Sequence, residues 1–267
     1  MAAAVINTVV DEATTTNQGK VGDTVDINGT GLGTTIMVNF GAATVRPTSV
    51  SHTLVKFVVP ATAPCSGQAQ VSVRLSKGIT SNGLPFFIIP APVTFSSSPA
   101  FLPTTGAPLT VLGSGFAAGG KVNVGSATVD FGPGGSNTSV TVTAPAHTPT
   151  GCSDAQEITV TTPGGTGTAG TSSVTYQKPP TLTNADPASG TTGDPVVING
   201  SCLDNLVSVT YTDSTGNHTE TDPTAAGSGT SISSTVPDGT LVPDSVNPGV
   251  ITVHTVGGSD TTPFILT

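Results

Sequence analysis

The sequence is poor in charge and in large aromatic side chains. Charged residues make up 9% of its 267 residues, there is no Trp, and there are two Tyr. Disordered chains combine polarity with high net charge, whereas the mean hydropathy of this chain is slightly positive. Gly and Pro are frequent, with 33 and 22 copies. Together with the alternation of Val and Ile with Thr and Ser, this composition favours short strands joined by tight turns.

Helical periodicity and long apolar runs are also missing. No apolar run approaches the roughly 18 residues of a membrane-spanning helix, so we expect no membrane insertion. The N-terminus has no basic region, and its apolar stretch ends at Asn7, too early for a secretory signal. If Met1 is native, these features predict a chain made in the cytoplasm and not exported by the ordinary route. If Met1 is a cloning scar, that prediction does not apply.

Lys and Arg are absent from the last third of the chain. The net charge is −9, which argues against nucleic acid as a partner. Residues 1–89 carry five Lys or Arg and four acids, and residues 90–178 carry two Lys or Arg and three acids. Residues 179–267 carry nine acids and no Lys or Arg. This polarity predicts a rod attached through its N-terminal end. The alternative is that the acidic third is simply well solvated.

One pattern occurs three times along the chain. A Gly turn, an alternating apolar strand and a second Gly turn ending on a large apolar residue occupy 21–32, 106–116 and 193–203. The glycines that close the strands are Gly29, Gly113 and Gly200, with spacings of 113 − 29 = 84 and 200 − 113 = 87. This period is too long for a solenoid repeat, and a segment of that size can fold alone. We therefore predict three domains, at 1–89, 90–178 and 179–267.

Each predicted domain contains about seven short alternating strands, with turn signals about every 8–12 residues, which is typical of an immunoglobulin-like sandwich. The junctions at 89–92 and 177–180 each hold two prolines, and proline-rich linkers are stiff and extended. The predicted fold class is therefore all-β, with three tandem immunoglobulin-like β-sandwiches forming an elongated rod.

An ordered set of short motifs recurs in these repeats. It consists of an early proline and glycine, a strand ending in a glycine turn, a Val-x-Phe-Gly motif, a strand ending in proline, a glycine before Val-x-Val, a glycine pair and an aromatic last strand. Its members include Pro187 with Gly190, Val197 and Ile198 with Gly200, 38–41, 57–60, Gly67 with 71–73, Gly164 and Gly165, Gly257 and Gly258, and 174–176.

The set resembles the IPT/TIG immunoglobulin-like domain over essentially the whole chain. The sequence departs from the family pattern in three places. The first repeat lacks the early proline, and the second has Val124 where the motif has an aromatic residue. The third has no glycine after 209–211 and carries a longer polar insert at 213–230. That insert is either a functional loop or a solvated excursion, and we favour the excursion.

The three cysteines are Cys65, Cys152 and Cys202. No predicted domain holds two of them, which excludes the disulfide found within antibody domains. We expect free thiols in a reducing compartment. Zinc needs clustered ligands, and no Cys pair or Cys/His cluster has such spacing. The sequence therefore predicts no zinc site and no cofactor.

No residue pattern predicts catalysis. The four histidines are scattered, and the Gly-Ser-Gly at 113–115 has no helix after it and is not a nucleophile elbow. The site prediction is therefore none for catalysis, cofactor and metal, and unknown for partner-binding residues. A calcium site is a less favoured alternative, because the acids of the third domain could meet in space but lack the spacing of a calcium loop. These acids are Asp204, Asp213, Asp222, Asp238 and Asp244.

Four segments match the acceptor motif for N-glycosylation. Two of them are the repeated Asn-Gly turn, which we interpret as a backbone requirement for positive φ, and we expect none to be glycosylated. The acceptors are Asn28, Asn137, Asn199 and Asn217.

The family resemblance implies binding or spacing, not enzymatic activity. Such domains occur in cell-surface receptors, transcription factors, bacterial surface proteins, carbohydrate-active enzymes and phage virion proteins. Because the sequence shows no export signal, anchor or catalytic domain, the favoured hypothesis is a non-enzymatic virion structural or accessory protein of a bacteriophage, made in the host cytoplasm. In this hypothesis it is a capsid decoration, a fibre or a tail-appended protein.

The predicted partners follow from the charge polarity. The N-terminal domain would contact other virion structural proteins, the acidic domain would face outward toward host-surface glycans, and self-association stays open. The alternatives are a bacterial cell-surface or filament adhesin stalk and an accessory carbohydrate-binding module. Exposed aromatics build sugar platforms, so the absence of Trp weighs against the module.

Overall fold

The computed structural model describes residues 4–62, 67–167, 172–213, 216–219, 223–225, 229–238 and 249–267. All regular elements in these ranges are β-strands. The described residues contain no helix with the length and hydropathy that a membrane crossing requires. The strands fall into three groups that follow one another along the chain, each enclosing its own hydrophobic core.

The first nine strands form sandwich 1. They are β1 Val5–Asp11, β2 Gln18–Gly19, β3 Thr24–Thr30, β4 Thr35–Phe40, β5 Ala43–Val45, β6 Ser49–Val50, β7 Leu54–Val58, β8 Gly67–Leu75 and β9 Leu84–Ile88. One sheet has the order β1-β3-β7-β6 and the other β2-β9-β8-β4-β5. Alternation explains the strands, since Val55 and Phe57 of β7 are fully buried while their neighbours are not.

The next nine strands form sandwich 2. They are β10 Val93–Ser98, β11 Phe101–Pro103, β12 Pro108–Ser114, β13 Gly120–Val124, β14 Ala127–Phe131, β15 Ser139–Thr143, β16 Ser153–Thr162, β17 Gly165–Thr166 and β18 Ser173–Gln177. One sheet has only three strands, in the order β10-β12-β15. The other has the order β11-β18-β16-β13-β14, with β17 also paired to β16.

The last nine strands form sandwich 3. They are β19 Thr181–Asp186, β20 Ser189–Gly190, β21 Pro195–Ser201, β22 Leu206–Asp213, β23 Gly216–Thr219, β24 Thr224–Ala225, β25 Ser231–Thr235, β26 Gly249–Thr255 and β27 Gly258–Leu266. The sheets have the orders β19-β21-β25-β24 and β20-β27-β26-β22-β23. The described parts of the insert at 213–230 therefore extend both sheets, through β23 and β24.

All three sandwiches share one topology. The N-terminal segment of each starts in one sheet and then crosses to the other, where a short strand pairs in parallel with the last strand: β2 with β9, β11 with β18 and β20 with β27. The cores are centred on buried aromatic rings, among them Phe57, Tyr176 and Tyr211. The predicted class, three tandem immunoglobulin-like β-sandwiches in an elongated arrangement, is confirmed. The boundaries 1–89, 90–178 and 179–267 stay a proposal.

The reason for the repeated strand-closing glycine differs from the one the sequence suggested. The residues at positive φ lie two positions later, at Gly31 (φ 73°), Gly115 (φ 84°) and Cys202 (φ 58°). Gly29, Gly113 and Gly200 instead lie beneath a bulge in the opening strand of their sandwich. A Cβ at each of these three glycines would overlap a backbone carbonyl oxygen, that of Val5, Val93 or Thr181. The glycine is required by close approach of two strands, not by a turn.

Candidate functional site

The junction between sandwiches 2 and 3 is held by a disulfide bond, hydrogen bonds and close packing. Cys152, just before β16, forms a disulfide with Cys202, just after β21, with a Cα–Cα distance of 5.0 Å and a sequence separation of 50. The expectation of free thiols is therefore wrong for these two residues. The bond joins two domains, because the two loops meet across the linker. Cys65 lies outside the described residues.

Cys202 has a left-handed backbone conformation, which glycine adopts more readily than other residues. The equivalent residues in sandwiches 1 and 2 are Gly31 and Gly115, which share its left-handed conformation. A residue with a side chain is disfavoured in that conformation by roughly 1–2 kcal/mol. A cysteine where the other repeats have glycine, 50 residues from a second cysteine across a linker, was the signal in the sequence that pointed to this bond.

Polar contacts reinforce the same junction. Gln177, the last residue of β18, is 1% exposed. Its side-chain NH2 donates to the backbone carbonyl of Asp204, and its Oε1 accepts from Asn205 Nδ2 at 2.9 Å. Gly257 of sandwich 3 packs so closely on the carbonyl of Lys178 that a Cβ would overlap it. Covalent, polar and steric contacts thus fix the position of sandwich 3 on sandwich 2.

The junction between sandwiches 1 and 2 differs in its contacts. It contains a groove of about 840 Å³ that is lined mainly by apolar residues. Lys20 and Val21 come from sandwich 1, Ile89 and Pro90 from the linker, and Gly115 from sandwich 2. Gly164 packs against the carbonyl of Pro90 in the same way that Gly257 packs against Lys178. Among the described residues that line the groove, Lys20 is the only charged one, and these residues offer no grouping suited to acid–base chemistry.

One histidine takes part in a local network that we did not predict. His147 Nε2 lies 2.8 Å from Asp154 Oδ1, and Gln156 Nε2 lies 3.3 Å from the same oxygen. The ring of His147 packs on that of Tyr176, with centroids 5.1 Å apart. The Tyr176 hydroxyl donates to the carbonyl of Pro145 at 2.7 Å, so it is already engaged. The network ties the loop that ends at Cys152 to β16 and β18, and nothing in it is placed as a nucleophile.

The other histidines and acids named in the sequence analysis do not belong to the His147 network. His218 pairs with Asp213 at 3.4 Å, and His254 is half-buried on β26. Asp222 and Asp244 lie outside the described residues. Among the residues that the structure does describe, no three His, Cys, Asp or Glu side chains are placed to hold a metal ion.

Residues 9–88 match the model of the IPT/TIG domain. This match covers most of sandwich 1 and supports the family resemblance there. Comparison of the sequence with the curated proteins finds no match.

Several solved structures are similar to this chain. A crystal structure with xylogluco-oligosaccharide is 17% identical, with a TM-score of 0.46, over 100% of this chain and 60% of that one. A titin I-band fragment is 12% identical, with a TM-score of 0.36, over 100% of this chain and 99% of the fragment. A surface glycan-binding protein from Prevotella bryantii is 15% identical, with a TM-score of 0.30, over 62% of this chain and 41% of that protein. The chain spans 60% of the first of these structures and 41% of the third.

Proposed function

We propose that this chain is a non-enzymatic structural protein displayed on a surface outside the reducing cytoplasm, where it acts as a stiff spacer. One observation carries the proposal, the disulfide between Cys152 and Cys202 across the junction of sandwiches 2 and 3. Disulfides persist in oxidising environments and are rare in the cytoplasm. A bond between domains also does what a spacer requires, because it prevents two neighbouring sandwiches from moving independently.

The first candidate setting is a bacterial cell surface or filament, with the chain as an adhesin stalk. The buried Gln177, the disulfide and the Gly257 contact support a fixed junction. The charge polarity supports attachment through sandwich 1 and an outward-facing acidic sandwich 3. Contact between that outer end and host-surface glycans belongs to this proposal.

The second candidate setting is a virion, with the chain as a decoration or appended fibre. The observation that favours it is the uneven charge, with five of the seven Lys and Arg in residues 1–89 and none in residues 179–267. Such a chain has one end distinct from the other, as attachment to a particle through one domain requires. The partners in this setting are other virion structural proteins.

One fractionation tests both settings. Quantitative mass spectrometry would compare cytosol, cell envelope and purified particles from the native source, with peptides mapped under non-reducing conditions. We expect the chain in the envelope fraction with the crosslinked peptides of Cys152 and Cys202. Stoichiometric recovery in particles with the same crosslink would select the virion setting. Recovery in the cytosol with free thiols would contradict the proposal in both forms.

A further inference from the structure

Among the described strands, sandwich 2 has an unpaired sheet edge at the position where each of the other two sandwiches has an additional short strand. In sandwich 1, β7 pairs on one side with β3 and on the other with β6. In sandwich 3, β25 pairs likewise with β21 and β24. The equivalent strand of sandwich 2, β15, pairs with β12, and no described strand pairs with its other edge.

The hydrogen-bond register shows which groups of β15 face the open edge. Gly113 N donates to Thr138 O, and Ala144 N donates to Ala107 O, at the two ends of the β12–β15 ladder. In an antiparallel ladder, alternate residues point their N–H and C=O groups toward the partner strand. Val140 and Val142 therefore bond to β12. The backbone groups of Ser139, Thr141 and Thr143 face outward.

The same register identifies the central outward residue in each sandwich. Lys56, Thr141 and Ser233 are equivalent, because each pairs with the residue three positions before the strand-closing glycine. Lys56 O accepts from Thr48 N at 2.7 Å, and Ser233 pairs with Thr224. Proteins commonly protect such edges by pairing them or by placing Lys there, and sandwich 1 uses both devices. Strand β15 carries no charged side chain, and its outer edge pairs with none of the described strands.

The described backbone hydrogen bonds of the connection between β14 and β15 do not involve the outward groups of β15. Its backbone bonds lead back to the opposite side of the strand, from Gly134 N to Ala117 O and from Phe116 N to Asn137 O. Added side chains at Gly132 and Gly135 would meet no atom within 4 Å. An alternating, uncharged strand with free backbone groups can accept an extended partner strand.

We propose that β15 is a dimerisation edge, and that its partner is β15 of a second copy of this chain, paired antiparallel about a two-fold axis through Thr141. Such pairing is self-complementary, as a two-fold interface must be. Thr141 would oppose Thr141 of the other copy, and Ser139 would oppose Thr143. The backbone groups of these residues allow about six hydrogen bonds across the seam.

Charge complementarity supports a second copy in this orientation. Antiparallel pairing through the middle sandwich makes the two rods run in opposite directions. The orientation proposed above, with sandwich 1 attached and sandwich 3 outward, therefore applies to a single chain and not to this dimer. Each sandwich 3, with nine acids and no Lys or Arg, then lies on the side of the other copy's sandwich 1, which carries five Lys or Arg and four acids and so has a net charge of 5 − 4 = +1. A parallel arrangement would instead place the two acidic sandwiches side by side, where like charges repel.

Sedimentation velocity and mass photometry of the full chain test the proposal. We expect a concentration-dependent dimer that dissociates more readily at high salt, since salt screens the contacts between opposite charges. Thr141→Lys copies the residue that sandwich 1 has at this position and places two lysines face to face across the axis. We expect its dimer dissociation constant to rise at least about tenfold, as like charges directly opposite one another destabilise strand pairing.

Ser96→Lys is the matched control. It adds the same charge to an exposed position of β10, at the other edge of the same sheet, and should leave the dimer intact. Hydrogen exchange on the unmodified chain adds a measurement that does not depend on how a variant folds. The Thr141 amide should become protected as the concentration rises.

Four results would overturn the proposal. One is a chain that stays monomeric at every concentration. Another is a dimer that Thr141→Lys does not weaken. The third is a crosslinking pattern that joins the two copies of sandwich 1 to each other. A monomer that binds an extended strand from another protein would likewise exclude the second copy as the partner of β15. None of these results bears on where the chain resides.

Discussion

Tyr176 illustrates how a single side chain joins the core of sandwich 2 to its junction with sandwich 3. The residue is fully buried, its hydroxyl donates to the carbonyl of Pro145, and its ring packs on His147. The next residue, Gln177, makes the polar contacts with sandwich 3. Burial raises the pKa of Tyr176 above its usual value of 10.0, because the charged phenolate would be poorly solvated.

Replacing Tyr176 by Phe should remove the hydrogen bond and leave the Pro145 carbonyl without this donor. We expect the free energy of unfolding of sandwich 2 to fall by about 1 kcal/mol, measured by denaturant titration at neutral pH. A variant as stable as the parent would contradict the importance of this contact.

The same variant changes the response to alkaline pH. A pKa that is higher in the folded state than in the unfolded state gives stability that is complete below the unfolded pKa, about 10. This contribution is lost as the pH rises through the folded pKa. The parent should therefore lose stability above about pH 10, and Tyr176→Phe should lose less. The chain has only two tyrosines, so the difference between the two unfolding curves isolates Tyr176.

At the scale of the element, the opening strand of each sandwich crosses over a glycine. The register of β1 shifts between Ile6 and Thr8, that of β10 between Thr94 and Ser96, and that of β19 between Leu182 and Asn184. Each bulge lies above the glycine that ends the neighbouring strand. The three-fold repetition seen in the sequence is thus a requirement of strand packing within each sandwich.

Gly113→Ala should be strongly destabilising, because its Cβ would overlap both the Val93 carbonyl and the ring of Phe116. Overpacking of this kind costs about 3 kcal/mol. Gly135→Ala in the same sandwich is the control, since nothing lies within 4 Å of its added Cβ. Thermal unfolding of the two variants should separate them clearly, and equal midpoints would refute the close-approach explanation.

Element positions were more predictable from the sequence than element partners. The alternation at 54–59 and 70–75 located β7 and β8 to within a few residues, because one face of each strand is buried. The pairing of β6 with β7, and the lack of an equivalent described strand beside β15, gave no such signal. Two-residue strands such as Ser49–Val50 carry too little pattern to be recognised, and the pairing depends on where a loop lies in space.

At the scale of the whole molecule, the disulfide changes the path that a pulling force takes through the chain. A force applied at the two ends passes from Cys152 directly to Cys202. The strands between them, from β16 to β21, are bypassed. Sandwiches 2 and 3 are therefore expected to respond to force as a connected pair, and sandwich 1 as a separate unit.

Single-molecule force spectroscopy of the full chain measures this effect. Complete unfolding of the oxidised chain should release about 170 Å less length than that of the reduced chain, from about 3.4 Å for each of the 50 enclosed residues. Cys152→Ser should reproduce the reduced length without reductant. Equal lengths in oxidised and reduced samples would show that the bond is absent from the protein in solution.

The sequence alone determined that the chain is all-β, that it repeats with a period of 84 to 87 residues, and that its acids gather at one end. These properties follow from alternation, turn residues and composition, which are local. The tertiary structure decided why the repeated glycines are glycine, which cysteines are bonded and which sheet edge is open. Each of these depends on segments distant in sequence coming within contact of one another, and local patterns do not record such contacts.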